Sequence, residues 1–236
     1  MKAIILAGGL GTRISEETYD KPKPMVEISG KPMLWHIMNV FARQGVTDFV
    51  IATGYKGEII HEWAEKLEEP WHINSLDTGL NTQTGGRIKI ALESIGDELV
   101  IATYGDGLAN VNISALIRRH EQSELLATVT AVRPPARFGV LESSNGLVTH
   151  FGEKNQADAG WINGGFFVLS QKVGKYVAGP AEPFETGALP RLVKDRQLGV
   201  YYHEGFWKPM DTLREKEELS SFAVSGTPPW LEGIDK

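Results

Sequence analysis

Residues 3–13 read Ala3-Ile4-Ile5-Leu6-Ala7-Gly8-Gly9-Leu10-Gly11-Thr12-Arg13, and the fold follows from how this stretch is read. Five apolar residues without polar alternation mark a strand buried on both faces, as in a parallel sheet covered by helices. Phe49 to Thr53 and Leu99 to Tyr104 repeat the pattern, each ending in a glycine-containing turn. Helical periodicity fills the gaps at Pro32 to Arg43, Arg87 to Ile95 and Ile113 to Ser123, the last with Asn112 as its N-cap. This is the βαβ rhythm, and it predicts a Rossmann-like α/β/α sandwich around a mixed, mainly parallel sheet.

Further along, Ala127 to Val132, Gly139 to Glu142, Leu147 to Phe151 and Gly165 to Leu169 read as strands, with Ser143-Ser144-Asn145-Gly146 as a hairpin turn. Helices at Glu185 to Lys194 and Thr212 to Val224 flank a short Val200-Tyr201-Tyr202 strand. No repeat or linker divides the chain, so one domain is expected over residues 1–225, with 226–236 as a frayed tail.

The 236 residues carry 24 Lys+Arg, 30 Asp+Glu and no cysteine, a formal charge of −6. Without thiols there is no disulfide framework, no Cys-ligated metal and no cysteine nucleophile. The acidic balance argues against nucleic-acid binding. No segment approaches the roughly 18 apolar residues of a membrane span, and the apolar N-terminal run is too short for a secretory signal, so the cytoplasm is the default expectation.

Three glycines directly after a buried strand let backbone N–H groups approach a phosphate, and Arg13 and Lys23 add positive charge. The loop lacks the Gly-Lys-Ser/Thr of a P-loop and the G-x-G-x-x-G of a dinucleotide site. Tyr104-Gly105-Asp106-Gly107 places a carboxylate at the end of a predicted strand, where ligands of open α/β sheets gather. Asp211, in Phe206-Trp207-Lys208-Pro209-Met210-Asp211-Thr212, stands at a predicted helix start. Alone it reads as an N-cap; paired with Asp106 it suits a hydrated Mg²⁺, which takes one or two carboxylates plus substrate phosphates. His36 reads as a packed histidine, and Trp63, Trp71 and Trp161 as core or stacking residues. The run Glu215-Lys216-Glu217-Glu218 reads as a solvated helix face.

Gly8 to Arg13 with Lys21-Pro22-Lys23-Pro24, Thr84-Gly85-Gly86-Arg87, Tyr104 to Gly107, Glu153-Lys154, Asn163-Gly164-Gly165-Phe166-Phe167 and Gly205 to Thr212 together resemble the sugar-1-phosphate nucleotidyltransferase family. The Thr-Gly-Gly-Arg and Phe-Trp-x-Pro-Met-Asp-Thr forms are similar to its glucose-1-phosphate cytidylyltransferase branch. The resemblance implies the nucleotide-diphospho-sugar transferase fold, Mg²⁺ as cofactor, CTP and a sugar 1-phosphate as substrates, and a homo-oligomer. By position it assigns Leu6, Ala7, Gly8, Gly9, Gly11, Thr12, Arg13, Lys23, Thr82, Gly86, Arg87, Gly105 and Asp106 to the nucleotide, with Arg13, Lys23, Asp106 and Asp211 catalytic. It assigns Asp106 and Asp211 to the metal, and Tyr104, Gly139, Glu153, Lys154 and Asn163 to the sugar phosphate. Asn155 stands where the family has proline after Glu-Lys, and the chain is shorter between Trp63 and Trp71 than that branch.

The chemistry agrees with the residues. A sugar phosphate with a second pKa near 6 is mostly dianionic at neutral pH, so its oxygen attacks the α-phosphorus without a general base. Catalysis then reduces to offsetting charge in a loose, in-line transition state. Other nucleoside triphosphates or hexoses, a GT-A glycosyltransferase, and a nucleotide-sensing binding protein are the alternatives. The absence of an Asp-x-Asp pair at residue 106 and the retention of all four charged residues count against the last two.

Overall fold

A computed structural model of the chain describes residues 1–96, 99–134, 139–144, 147–153, 160–224 and 226–234. The opening apolar run is β1 (Lys2–Leu6), followed by the single-turn α1 (Ser15–Thr18), the two-residue strands β2 (Glu27–Ile28) and β3 (Lys31–Pro32), and α2 (Met33–Ala42). Then come β4 (Asp48–Thr53), α3 (Gly57–Glu65), β5 (His72–Asp77), α4 (Thr84–Ile95), β6 (Val100–Tyr104), β7 (Gly107–Ala109) and α5 (Ile113–Glu121). The remainder holds β8 (Ala127–Val132), β9 (Gly139–Ser144), β10 (Leu147–Glu153), β11 (Ile162–Leu169), α6 (Leu189–Lys194), β12 (Leu198–His203), β13 (Trp207–Pro209) and α7 (Leu213–Val224).

Seven strands form one sheet in the order β12-β8-β11-β6-β1-β4-β5. Only β11 runs antiparallel to its neighbours, so the sheet is mixed and mainly parallel, as expected. Strand β1 lies inside the sheet, between β6 and β4, and feeds two cores: Ala3 and Ile5 pack with Leu34, Ile37 and Phe41 of α2 on one face, Ile4 and Leu6 with Ile88, Ala91 and Leu92 of α4 on the other. That explains the unbroken apolar run, since both faces of the strand are inside. Asn112 caps α5, its Oδ1 accepting from the Ala115 N–H at 2.8 Å. Strands β9 and β10 pair as the expected hairpin; Asn145 and Gly146 of its turn lie outside the described residues.

Three expectations need correction. Strand β5 was not foreseen, because an edge strand reading His-Ile-Asn-Ser-Leu-Asp carries too little apolar character to stand out. The helix expected from Arg87 begins at Thr84, so Thr84-Gly85-Gly86 is its first turn rather than a loop. Within the stretch expected to fray, Trp230 and Ile234 are buried: Trp230 is 0% exposed, against the rings of His36 (5.5 Å) and Phe206 (6.0 Å). One large aromatic buried there outweighs the turn signal of Pro228-Pro229. No helix among the described residues is long and apolar enough to cross a membrane.

Candidate active site

A cleft of about 750 Å³ opens at the carboxyl ends of β1 and β6, floored by residues 6–13. Leu6, Ala7, Gly8, Gly9, Gly11, Thr12, Arg13, Lys23, Thr82, Arg87, Tyr104, Gly105, Asp106 and Asn163 of the expected site all line it. Asn163 arrives because β11 is antiparallel: the start of that strand reaches the edge where parallel strands end.

Arg87 is the cation that holds the floor. It is 4% exposed, and its guanidinium donates to the carbonyls of Thr53 (2.7 Å) and Gly8 (2.9 Å) and to Thr78 Oγ1 (2.6 Å). A Cβ at Gly8 would lie 2.2 Å from that guanidinium, so the glycine is required by the clamp as well as by any phosphate. Burial lowers the Arg87 pKa from its usual value, and Asp77 opposes the shift. The hydroxyl of Thr82 is likewise engaged, donating to the Thr78 carbonyl at 2.5 Å.

Asp106 and Asp211 meet because β7 and β13 pair antiparallel, with Gly107 opposite Pro209 and the Met210 N–H donating to the Asp106 carbonyl at 2.8 Å. The ribbon puts both carboxylates at its mouth. Lys23 Nζ donates to Asp106 Oδ2 and to Asp211 Oδ1, each at 2.7 Å, while Arg13 donates to Asp211 Oδ2 at 2.6 Å. Asp211 is not the helix cap that its position implied. Thr212 caps α7 in a capping box, with Glu215 accepting from the Thr212 N–H at 3.0 Å and Thr212 Oγ1 accepting from the Glu215 N–H at 3.3 Å. The Asp211 side chain is thereby left to Lys23 and Arg13, both of which line the cleft.

Two carboxylate oxygens converging on one ammonium form a hard, all-oxygen donor pair, which fits a Mg²⁺ that keeps its remaining positions for water and phosphate. Among the described residues no three His, Asp or Glu side chains gather as a metal cage.

The opposite wall is a chain of hydrogen bonds. Asn163 Nδ2 donates to Tyr104 Oη at 3.2 Å, Tyr104 donates to Glu185 Oε1 at 2.5 Å, and Thr84 Oγ1 donates to Glu185 Oε2 at 2.7 Å. Burial, and then the Glu185 carboxylate, push the Tyr104 pKa well above its usual value, so the phenol stays protonated. Glu185 was missed by sequence reasoning. It looked like a first-turn acid of a predicted helix, but the chain makes a π turn over Phe184–Ala188, which re-aims it at the cleft. Leu80, Asn81 and Gln83 also line the cleft and carried no recognisable signal.

Gly86 is buried beneath the cleft, where a Cβ would stand 2.4 Å from the Pro180 carbonyl oxygen. Gly139 and Glu153 are partners across the β9–β10 ladder, and Lys154 and Asn155 lie outside the described residues. His36 is a packed histidine as read, its Nε2 2.9 Å from the Ile28 carbonyl. Trp63 and Trp71 pack on the core, and Trp161 packs on Tyr202 with the rings tilted by 57° and their centroids 4.7 Å apart. The 215–218 run is more than a solvated face, since Glu218 pairs with Lys208 and Lys216 with Glu17.

Over residues 2–215 the chain matches the nucleotidyl transferase family. It is 45% identical over 253 aligned residues to the glucose-1-phosphate cytidylyltransferase of Salmonella typhi, covering 98% of each chain. The aligned length exceeds the 236 residues here, so that relative carries residues this chain lacks. The mannose-1-phosphate guanyltransferase of Schizosaccharomyces pombe is 31% identical, with 93% of this chain and 63% of the relative covered. Among solved structures, HddC from Yersinia pseudotuberculosis, also known complexed with GMP-PN, superposes with a TM-score of 0.69 at 25% identity, covering 93% of this chain and 98% of that one. With the cleft, the paired carboxylates and this full-length similarity in hand, the chain belongs to the nucleotidyl transferase family.

Proposed function

We propose that the chain condenses CTP with α-D-glucose 1-phosphate to give CDP-glucose and pyrophosphate. The observation that carries the chemistry is the convergence of Asp106 and Asp211 on Lys23 beside the glycine loop. The choice of CTP and glucose 1-phosphate is supported by the named cytidylyltransferase relative. The glycine loop offers N–H groups to the triphosphate, and Arg13, 73% exposed, reaches out at the cleft mouth. Asp106 and Asp211 would hold Mg²⁺, which when bound neutralises charge on the phosphates. Lys23, a point charge on a flexible stem, supplies a second positive centre for the triphosphate. Asn163, Tyr104, Gly139, Glu153 and Lys154 are assigned to the sugar phosphate. The attacking phosphate oxygen needs no general base, and the described lining offers no histidine to act as one. A cytoplasmic homo-oligomer is part of the same reading.

Pyrophosphate release over a panel of nucleoside triphosphates and sugar 1-phosphates, with and without Mg²⁺, tests it. CTP is expected to exceed UTP and dTTP by at least about tenfold in kcat/KM, equivalent to about 1.4 kcal/mol. A preference for UTP or dTTP would move the chain to another substrate class and leave the phosphate chemistry standing.

A further inference from the structure

We propose that Glu185 sets the hydrogen-bond polarity of the cleft wall and, acting through Tyr104, directs an Asn163 amide proton at the sugar of the acceptor. The inference rests on the assignment of Asn163 to the sugar side made above, and it makes Glu185 a positioning residue.

Every donor and acceptor along this wall is determined by chemistry. The Phe184 N–H can only donate, and it donates to Thr84 Oγ1 at 2.8 Å. The Thr84 hydroxyl proton is thereby directed at Glu185 Oε2. An ionised carboxylate only accepts, so Tyr104 must donate to Oε1 and turn a lone pair toward Asn163. The Gly165 N–H donates to Asn163 Oδ1 at 2.8 Å, which settles the amide orientation and leaves Nδ2 facing the phenol. One Nδ2 proton is used on Tyr104; the other is uncommitted among the described residues, on a side chain that lines the cleft. The wall thus presents a fixed donor for a sugar oxygen. The glutamate that fixes it is carried by the π turn, in which the Leu189 N–H reaches back to the Phe184 carbonyl.

Glu185→Gln keeps the shape and admits two arrangements. If its amide nitrogen faces Tyr104, the phenol must accept from it, the phenolic proton turns toward Asn163 Nδ2, and two donors confront each other. If the nitrogen faces Thr84 instead, the amide oxygen still accepts the Tyr104 proton and Asn163 keeps its polarity, while the Thr84 hydroxyl proton loses the carboxylate; Glu185→Leu, which offers neither hydroxyl an acceptor, removes that escape. Either arrangement leaves one donor unpaired.

The test measures KM for both substrates in wild type, Glu185→Leu, Tyr104→Phe and the double variant. Each single change is expected to raise KM for glucose 1-phosphate about tenfold while KM for CTP stays within about twofold, and the double variant to be no worse than Tyr104→Phe alone. An unchanged KM for glucose 1-phosphate, equal rises for both substrates, or multiplying losses in the double variant would overturn the inference while leaving nucleotidyl transfer intact. Should Glu185→Leu fail to fold, Tyr104→Phe, which keeps the ring against Phe167, still tests whether the phenol positions Asn163, the step through which Glu185 acts. No turnover by the wild type with any sugar 1-phosphate would overturn the functional reading, and this inference with it.

Discussion

Lys23 joins two carboxylates that are far apart in the chain, and its own side chain is only 10% exposed. Remove the ammonium and Asp106 and Asp211 face each other with one cation fewer between them, because only Arg13 still reaches Asp211. Lys23→Met is therefore expected to destabilise the free protein by about 1–3 kcal/mol. Added Mg²⁺ should recover more of that loss than it adds to the wild type, since in the variant the cation has no lysine to displace. Thermal melts of both proteins with and without MgCl₂ check this; a variant that melts like the wild type and ignores Mg²⁺ would show that the carboxylates do not form a cation site. Turnover should fall at least about a hundredfold, as for loss of one preorganised electrostatic group. Arg87 makes the contrast: it lines the cleft, and its guanidinium donates to Thr53, Thr78 and Gly8, so its charge also holds the shape of the floor.

At the scale of elements, the first turn of α4 decides how the Thr84-Gly85-Gly86 motif works. The Gly85 N–H donates to the Glu182 carbonyl at 3.0 Å, and both glycines press on the 180–184 backbone that leads into the π turn. Their missing side chains allow close packing of two chain segments, which is a different use of glycine from backbone approach to a base. Gly86→Ala is accordingly expected to cost about 1–3 kcal/mol of stability, as overpacking does, with the CTP to UTP ratio of kcat/KM unchanged. A shifted ratio at unaltered stability would place Gly86 at the base after all. The β7–β13 ribbon is the second deciding element, because a three-residue antiparallel pairing brings the two acidic loops to one point.

For the whole molecule, three buried histidines link stability to pH. His36, His120 and His203 all have pKa values pushed down, in each case chiefly by burial. Their unfolded-state values lie near 6.5, so above that pH both states are neutral and the groups contribute no slope. Below about 6.5 the unfolded chain binds protons that the folded chain refuses, and stability falls by up to about 1.4 kcal/mol per pH unit for each group until its folded pKa is reached. Denaturant midpoints measured from pH 7.5 down to 5 should decline through this window. His36→Gln should flatten the decline, since the amide keeps a donor for the Ile28 carbonyl and does not titrate. A flat profile for the wild type would mean that these rings take up protons in the folded chain over the same pH range as in the unfolded one.

Much of this architecture was legible in the residues alone. Strand β1, the glycine loop and the anionic character of the ligand follow from a single run, Ala3 to Arg13, because apolar continuity and glycine placement are local properties of the chain. The motif order also identified the family before any contact was known. Other features were settled only by long-range packing: the edge strand β5 with its weak apolar pattern, the docking of Trp230 beside His36, and the antiparallel course of β11 that carries Asn163 to the cleft. The same holds for the partners of each charge. Sequence marks Lys23, Arg87, Asp106 and Asp211 as charged residues near glycine, but which cation meets which carboxylate depends on angstrom-scale distances between segments remote in the chain. Local propensity contains no term for such distances. For that reason the chemistry was determined by the sequence, and the division of labour between Lys23 at the carboxylates, Arg87 under the floor and Glu185 in the wall was decided by the tertiary structure.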